Sequence, residues 1–401
     1  MTKWKMETGG LLAGYTDGFA ERLASLGYGR ERTRSHLRLL CALSAWLEHE
    51  GLTPAEVAGP QLARFLGSRR ARGEADLVTE RGCALLLEYL REVGVVPCAC
   101  RPVLGGPAGA VLGRYRSYLA DERGLGERGV LRYLHELGPF VASLTTRNDG
   151  IDWTAMSSAS VSRFLIDVCG GGRKPSSSFL AALRGFLRFA YLEGLIDTPL
   201  AQAVPSVASW RDRALPRRLA PEEVRQVLAH CDRKTLAGRR DYAIVTLLSR
   251  LGLRAAEVAG LGLDDVNWHA GEIVVRGKGS REEKMPLPTD VGRAIADYLS
   301  HDRPGTPTRA VFLRLQVPLR GLGPIGVTAV VYRACARAGV PRASAHVLRH
   351  SAATQMLRAG ASLAEVGQTL RHRSSSATAL YAKVDHASLR TLAPRWPEDV
   401  R

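Results

Sequence analysis

The first half of the chain carries one pattern twice. Residues 14–40, GYTDGFAERLASLGYGRERTRSHLRLL, resemble residues 114–140, RYRSYLADERGLGERGVLRYLHELGPF, at an offset of 100 (114 − 14 = 100). The tripeptide Arg-Phe-Leu at 64–66 recurs at 163–165, and LREVGVVP at 90–97 corresponds to YLEGLIDTP at 191–199. A degenerate internal duplication of this kind predicts two small helical domains in tandem. Chance similarity between helices rich in Leu and Arg is the alternative.

Turn-forming and basic residues mark the predicted domain limits. We expect a helical domain over 1–101, with helix breaks at Gly51 and Gly67, then a second over 108–200. Residues 201–219 form a linker interrupted by prolines, and 220–401 form a separate domain that ends in a tail. The linker arginines are candidates for contacts with a DNA backbone, although a solvated linker explains them equally well. They are Arg211, Arg213, Arg217 and Arg218.

The last domain mixes helices and strands. Residues 266–288, VNWHAGEIVVRGKGSREEKMPLP, alternate in polarity around glycine turns. This pattern predicts a short antiparallel sheet with Lys278 in a hairpin turn. Helices are expected at 290–302, 325–338, 344–359 and 362–371, with Gly339 and Gly360 as C-terminal caps. The predicted fold class is therefore mainly α with a small antiparallel β-sheet, in which tandem helical domains precede a mixed α+β domain.

Charge indicates the class of partner. Lys and Arg total 56 against 39 Asp and Glu, so the formal net charge is +17. Such an excess favours nucleic acid over a membrane, and no apolar stretch reaches the roughly 18 residues needed to span a bilayer. The N-terminus lacks the apolar core of a signal peptide. The seven cysteines are irregularly spaced, so we expect reduced thiols in a cytoplasmic protein.

One predicted helix, SAHVLRHSAATQMLRAG at 344–360, concentrates phosphate-binding groups. His346 and Arg349 are three residues apart and His350 follows four after His346, so all three lie near one face. A guanidinium beside an imidazole suits a phosphate. A satisfied core histidine is the plainer interpretation of either His. A metal site with His372 lacks a carboxylate ligand, so we predict no metal.

Four segments in a fixed order resemble a known family. They are LGLRAAEVAGLGLDDV (251–266), GKGSREEKMPLP (277–288), HVLRHSAATQMLRAG (346–360) and LRHRSSSATALYAKV (370–384). Their order and spacing are similar to the catalytic domain of tyrosine recombinases, the phage-integrase family, over 217–393. Residues 108–200 resemble the core-binding domain of that family. The resemblance implies a site-specific DNA recombinase, an integrase or transposase, that works through a 3′-phosphotyrosine intermediate.

The resemblance implies that four residues act directly on the phosphodiester. Tyr381 would attack phosphorus, while Arg254 and Arg349 would grip the scissile phosphate and stabilise charge in the transition state. Lys278 would protonate the departing 5′ oxygen. This assignment agrees with the chemistry, because an anionic phosphodiester needs fixed cationic donors and a phenol with a pKa near 10 must lose its proton during attack. The alkoxide leaving group in turn needs an acid.

Four further residues are implied to assist. His346 would act as the acid–base partner of the nucleophile, and His372 would hydrogen-bond the phosphate. Glu257 would orient its neighbours, and His350 is a supporting residue near the same helix face.

Two positions depart from the family pattern. Arg371 stands before His372, where the family usually has Gly, so it either alters the local backbone or adds a phosphate contact to DNA. Glu283 stands where a basic residue is usual, and Lys284 follows it. If the hairpin register slips by one residue, Lys284 would replace Lys278 as the acid.

The same resemblance implies the partners. We expect double-stranded DNA at specific sites, a homo-oligomer that reaches a tetramer in synapsis, accessory recombination proteins, and no membrane. The tail at 385–400 is either exchanged between subunits or folded back on its own domain. No cofactor is expected, because the bond energy is retained in the phosphotyrosine, and the expected location is the bacterial cytoplasm at the nucleoid. The alternatives are relaxation of DNA by a type IB topoisomerase-like enzyme and a non-catalytic DNA-binding relic.

Overall fold

The chain forms two compact units. The computed structural model describes residues 10–57, 59–97, 106–144, 151–154, 156–170, 175–205, 217–277, 282–371, 378 and 381. One unit contains the described residues from 106 to 205, and the other contains the remainder. Several predicted features lie outside the described residues: Arg211, Arg213, Lys278, His372 and the tail at 385–400.

The described residues of the N-terminal segment form a bundle of four α-helices. Leu and Phe side chains from all four form a single core, in which Phe19, Leu40 and Phe65 are fully buried. Gly51 ends the second helix in the left-handed conformation (φ 65°), as expected of a C-terminal glycine. The helices are α1 (Thr16–Ser25), α2 (Arg30–Glu50), α3 (Gly59–Ala71) and α4 (Glu80–Glu92).

The predicted helix break at Gly67 is wrong. Gly67 lies inside α3, which continues to Ala71. An interior glycine costs a helix only about 1 kcal/mol relative to alanine. Burial of Leu62, Phe65 and Leu66 on the same helix stabilises it by more than this local preference opposes it.

The second unit has the same succession of four helices. Its last three helices begin 97 to 99 residues after α2, α3 and α4 (127 − 30 = 97, 158 − 59 = 99, 177 − 80 = 97), and its first begins 90 residues after α1 (106 − 16 = 90). A core that includes Tyr115, Phe140 and Phe186 holds them together. The helices are α5 (Gly106–Ser117), α6 (Glu127–Ser143), α7 (Ser158–Gly170) and α8 (Ser177–Leu192).

Helices surround a small sheet in the segment from 217 onward. Its core includes Ile244, Leu248, Val331 and Leu348, all fully buried. The helices are α9 (Pro221–Ala229), α10 (Leu236–Arg250), α11 (Ala255–Ala259), α12 (Thr289–His301), α13 (Pro324–Ala338), α14 (Ala345–Arg358) and α15 (Leu363–Thr369). The strands are β1 (Val266–Asn267), β2 (Glu272–Arg276) and β3 (Glu282–Pro286). The predicted fold class, mainly α with a small antiparallel sheet, is confirmed.

The sheet is antiparallel in the order β1-β2-β3. Ile273 pairs with Met285, and both side chains are buried in the core. Because side chains alternate along a strand, Glu283 shares the face of Met285, whereas Lys284 points to the opposite face. This register decides which charged groups of β3 lie near the site.

The N-terminal bundle contacts the segment from 217 onward within one unit. The backbone N–H of Leu319 donates to the carbonyl of Leu26 over 2.9 Å, and the Arg320 guanidinium donates to Glu88 over 2.7 Å. Gly27 (φ 81°) lies so close that an added Cβ would be 2.6 Å from Leu319 Cδ1. The loop after α1 therefore packs closely against the loop before α13.

Over the residues that the structure describes, every helix is too short or too polar to cross a bilayer.

Candidate active site

Arg349 is anchored at the centre of the site. It lies on α14 and is 2% exposed. Its Nη1 donates to the Gly252 carbonyl over 2.6 Å, and its Nη2 donates to the Leu370 carbonyl. Burial lowers the pKa of Arg349 to about 10, with the nearby Arg254 charge acting in the same direction. The guanidinium still carries its charge at neutral pH. Its position is fixed by backbone carbonyls in the turns that follow α10 and α15.

Gly252 makes this anchoring possible. Its φ of 59° lies in the left-handed region, and an added Cβ would be 2.5 Å from Leu370 Cδ2. Both the conformation and the close approach favour glycine. The turn after α10 therefore brings the Gly252 carbonyl to Arg349 and directs the chain toward Arg254.

Arg254 is held at the start of α11 but remains accessible. Its backbone N–H donates to Glu257 over 2.7 Å and its Nη1 donates to the same carboxylate over 2.6 Å. Its Nη2 donates to the Arg371 carbonyl over 3.1 Å. The side chain is 42% exposed. Arg254 is thus an oriented cation that a phosphate can reach.

Glu257 is the buried anion of the site. Burial by itself raises the pKa of its carboxyl, but the hydrogen bond from the Arg254 backbone and the charges of Arg371 and Arg254 outweigh burial, so the pKa is lowered. A buried carboxylate of this kind is stable only when it is paired and hydrogen-bonded. Glu257 therefore accepts hydrogen bonds from both of its arginine neighbours, Arg254 and Arg371.

Two histidine rings of α14 meet edge to face. The His346 and His350 rings lie 4.2 Å apart at 70°. Burial lowers the pKa of His346, and the positive charges of Arg349 and Arg254 lower it further. The His346 imidazole is therefore neutral at neutral pH, which is the form that accepts a proton.

Tyr381 contacts His350. The phenol is 1% exposed and packs with Ala353, Val366 and Leu370. Its hydroxyl lies 2.7 Å from His350 Nδ1, and which atom donates depends on the His tautomer. The resemblance implies His346 as the partner of this hydroxyl. In the structure His350, one helical turn further along α14, lies beside the Tyr381 ring instead.

The phenol of Tyr381 is held in its neutral form. Burial raises its pKa, while the Arg349 charge opposes this effect. A phenol in this state reacts as a nucleophile only after its proton has passed to a neighbouring group.

The remaining predicted residues fall into three groups. Arg217 and Arg218 are exposed, as a DNA contact requires. Lys284 points away from the Met285 face and lies 3.5 Å from Glu272 in an ion pair, so the observed register does not bring it toward the site in place of Lys278. The Arg371 side chain is 8% exposed and is paired with Glu257. A phosphate contact by Arg371 is therefore not supported.

Two relationships in the site are not predicted by the sequence. The contact between His350 and Tyr381 joins residues 31 apart, and the pair of Arg371 with Glu257 joins residues 114 apart. The i+4 spacing of the histidines was the only local signal for the first. No local signal existed for the second.

Comparisons with known proteins agree on one family. The phage integrase family matches residues 217–388, and the SAM-like N-terminal domain of phage integrases matches residues 112–194. A protein of Sinorhizobium fredii named as integrase/recombinase y4rA is 38% identical over 398 residues, which cover 98% of this chain and 96% of that protein. Tyrosine recombinase XerD of Mycobacterium tuberculosis is 33% identical and covers 69% of this chain and 93% of its own length.

Solved structures share the fold. The XerH site-specific recombinase bound to a palindromic difH substrate matches with a TM-score of 0.52 at 19% identity, over 72% of this chain and 96% of that chain. The Tn1549 transposon integrase in complex with circular intermediate DNA matches with a TM-score of 0.52 at 16% identity, over 71% of this chain and 99% of that chain. At these identities the similarity shows the fold alone.

Proposed function

The chain belongs to the phage integrase family of tyrosine recombinases, and we propose that it is a site-specific DNA recombinase whose nucleophile is Tyr381. The observation that carries this proposal is the convergence of Arg254, Arg349, His346 and His350 with Tyr381 from separate segments. Two oriented guanidiniums, a neutral imidazole and a phenol are the groups that phosphodiester transesterification requires.

The cleavage step follows from these groups. The Tyr381 oxygen forms a bond to phosphorus while the bond from phosphorus to the 5′ oxygen breaks, which leaves a 3′-phosphotyrosine and a free 5′-hydroxyl. The phenolic proton passes to a neutral histidine of the 346/350 pair, and Lys278 supplies the proton that the 5′ oxygen gains. Arg254, Arg349 and His372 hold the phosphate oxygens. Because Tyr381 is 1% exposed, DNA binding must first open access to its oxygen.

Rejoining reverses the same chemistry. The 5′-hydroxyl of another strand attacks the phosphotyrosine and releases Tyr381, so the bond energy is conserved and no ATP or metal ion is needed. We propose a tetramer on two DNA duplexes, with accessory proteins aiding assembly, in the cytoplasm at the nucleoid. The helical domains at 1–101 and 108–200, joined by the 201–219 linker to the catalytic domain at 220–401, would grip the DNA around the site. Arg211, Arg213, Arg217 and Arg218 would contact its backbone.

A nicked suicide substrate tests the nucleophile. The short fragment between the cleavage site and the nick diffuses away after cleavage and cannot be rejoined. A covalent adduct therefore accumulates and is resolved on a denaturing gel. We expect the adduct from the wild-type protein in EDTA without nucleotide, and none from Tyr381→Phe. The matched control is Tyr298→Phe, because Tyr298 is equally buried in the same domain but lies in its helical core. An adduct formed equally by Tyr381→Phe would refute the assignment.

DNA binding and site preference need a second measurement. Binding dominated by about six to ten phosphate contacts should weaken roughly 10³–10⁵-fold between about 50 and 200 mM salt. Sequencing the DNA trapped in the Tyr381 adduct then gives the target site. Relaxation of random plasmid without site preference would instead favour a topoisomerase-like activity, and tight binding with no adduct would favour a DNA-binding relic.

A further inference from the structure

Arg371 occupies a backbone conformation that disfavours its own side chain. Its φ is 55°, in the left-handed region, and it directly precedes His372. A residue with a Cβ adopts this conformation at a cost, and surrounding contacts must hold it there. The contacts of Arg371 therefore show what stabilises the turn that follows α15.

The Arg371 guanidinium is turned into the protein. Its side chain is 8% exposed, and Nη2 donates to Glu257 Oε2 over 2.7 Å. Nη1 donates to the Thr369 carbonyl over 3.3 Å. Nε is buried without a hydrogen-bond partner among the described residues, and lies 3.7 Å from Glu283 Oε2. The cation is thus shared between two carboxylates on different segments.

The backbone of Arg371 contacts Arg254 as well. The Arg371 carbonyl accepts a hydrogen bond from Arg254 Nη2 over 3.1 Å, while Glu257 accepts from Arg254 Nη1 over 2.6 Å. Arg254, Glu257 and Arg371 therefore form a closed ring of three contacts. Two protein groups orient the Arg254 guanidinium: the Arg371 carbonyl and the Glu257 carboxylate. The Glu257 carboxylate is in turn ion-paired with the Arg371 side chain.

The contact with Glu283 extends this ring to the sheet. Glu283 lies on the Met285 face of β3, and the β2–β3 connection carries Lys278. Arg371 and Glu283 are also the two positions at which the chain departs from the pattern of the proteins it resembles. A basic residue at 283 would repel the Arg371 cation, so the two departures are electrostatically complementary.

We propose that Arg371 is a positioning residue that ties Arg254 and strand β3 to the end of α15 through Glu257 and Glu283. This inference rests on the proposed recombinase function. Arg371 itself does not contact DNA. Its charge neutralises two carboxylates and thereby leaves the exposed face of Arg254 directed toward the phosphate.

Substitution of Arg371 separates positioning from DNA binding. Arg371→Gly suits the left-handed backbone and should fold, which a melting curve checks. We expect its single-turnover rate of adduct formation at saturating protein to fall about 10- to 100-fold, as misplacement of a reacting group does. Its affinity for intact DNA and the salt slope of that affinity should not change. Arg371→Lys keeps one charge and should restore part of the rate, whereas Arg225→Ala, which removes an exposed arginine charge, should not alter it.

A double-mutant cycle tests the partnership with Glu283. Glu283→Lys should slow adduct formation when Arg371 is present, because two cations then face each other. In the Arg371→Gly background the same change should have little further effect. Glu257→Gln combined with Arg371→Gly should likewise slow the reaction no more than the slower single variant does.

Three results would overturn the proposal. One is a wild-type rate in Arg371→Gly, and another is additivity of the two effects in the Glu283 cycle. The third is weaker DNA binding by Arg371→Gly with a salt slope smaller by about 0.9, the value for one lost phosphate contact, at an unchanged saturating rate. Failure of the proposed function would look different, since the wild-type protein would then form no adduct or Tyr381→Phe would form one.

Discussion

The hydroxyl oxygen of Tyr381 lies 2.7 Å from Nδ1 of His350, in a pocket where the tyrosine is 1% exposed. The pair lies between α14 and the segment that follows α15, close to the buried Arg349. Tyr381 is thus held by one histidine, while the ring of the second, His346, meets that histidine edge to face. This arrangement makes the tyrosine part of the packed core and part of the site at once.

The strength of this contact can be measured. A double-mutant cycle of Tyr381→Phe and His350→Ala, followed by urea unfolding at neutral pH, should give a coupling of about 0.5–1.5 kcal/mol, as expected for a net buried hydrogen bond. Tyr298→Phe combined with His350→Ala is the matched control and should be additive, because Tyr298 packs in a different cluster. A coupling near zero for the first pair would contradict the contact.

His346 should set the acid limit of cleavage. Burial and the charges of Arg349 and Arg254 lower its pKa, so the imidazole stays neutral at a lower pH than an ordinary histidine with a pKa of about 6.5. The single-turnover rate should therefore hold as pH falls to about 6.5 and decline only below it, when His346 takes up a proton and can no longer accept one. The rate of adduct formation across pH measures this.

Removal of the His346 imidazole supplies the control. His346→Gln should be slower by about 10²–10⁴-fold at neutral pH and should lack the acid decline. His230→Gln, at an exposed position on another helix end, should retain it. An acid decline that persists in His346→Gln would assign the titration to another group.

The identity of the general acid can be tested with a better leaving group. Lys278→Ala should slow cleavage by about 10²–10⁴-fold on ordinary DNA. A substrate with sulfur in place of the bridging 5′ oxygen should restore the rate, because a thiolate leaves without protonation. Lys284→Ala is the matched control. Its side chain is ion-paired with Glu272 on the other face of β3, and it should cleave both substrates at the wild-type rate. Rescue of Lys284→Ala instead of Lys278→Ala would reverse the assignment.

The contact between the N-terminal bundle and the catalytic segment gives a further prediction. Gly27→Ala and Gly51→Ala both place a Cβ on a left-handed residue (φ 81° and 65°), at a backbone cost of about 1–2 kcal/mol each. Only Gly27 faces Leu319, while the space at Gly51 is open. Hydrogen exchange at the Leu319 amide, which donates to Leu26, should be faster in Gly27→Ala only. Equal exchange in both variants would show that this contact does not hold the loop.

Local signals predicted much of the fold. The helix expected at 325–338 is α13 at Pro324–Ala338, and the one expected at 344–359 is α14 at Ala345–Arg358, because caps and apolar spacing act over a few residues. The helix break expected at Gly67 is absent, because there a contact beyond the local sequence decides the structure. A weak local preference was overridden by the apolar face that α3 buries.

Amino-acid order by itself determined the elements, the fold class and the set of chemical groups that a tyrosine recombinase needs. It did so because helix periodicity, strand alternation and motif spacing are all written within short stretches. Only the tertiary structure decided which of these groups meet. Arg371 reaches Glu257 across 114 positions and Arg349 reaches Gly252 across 97. Such contacts depend on how α10, α14, α15 and the sheet pack, and their cost in backbone strain and burial is balanced only once the core has formed.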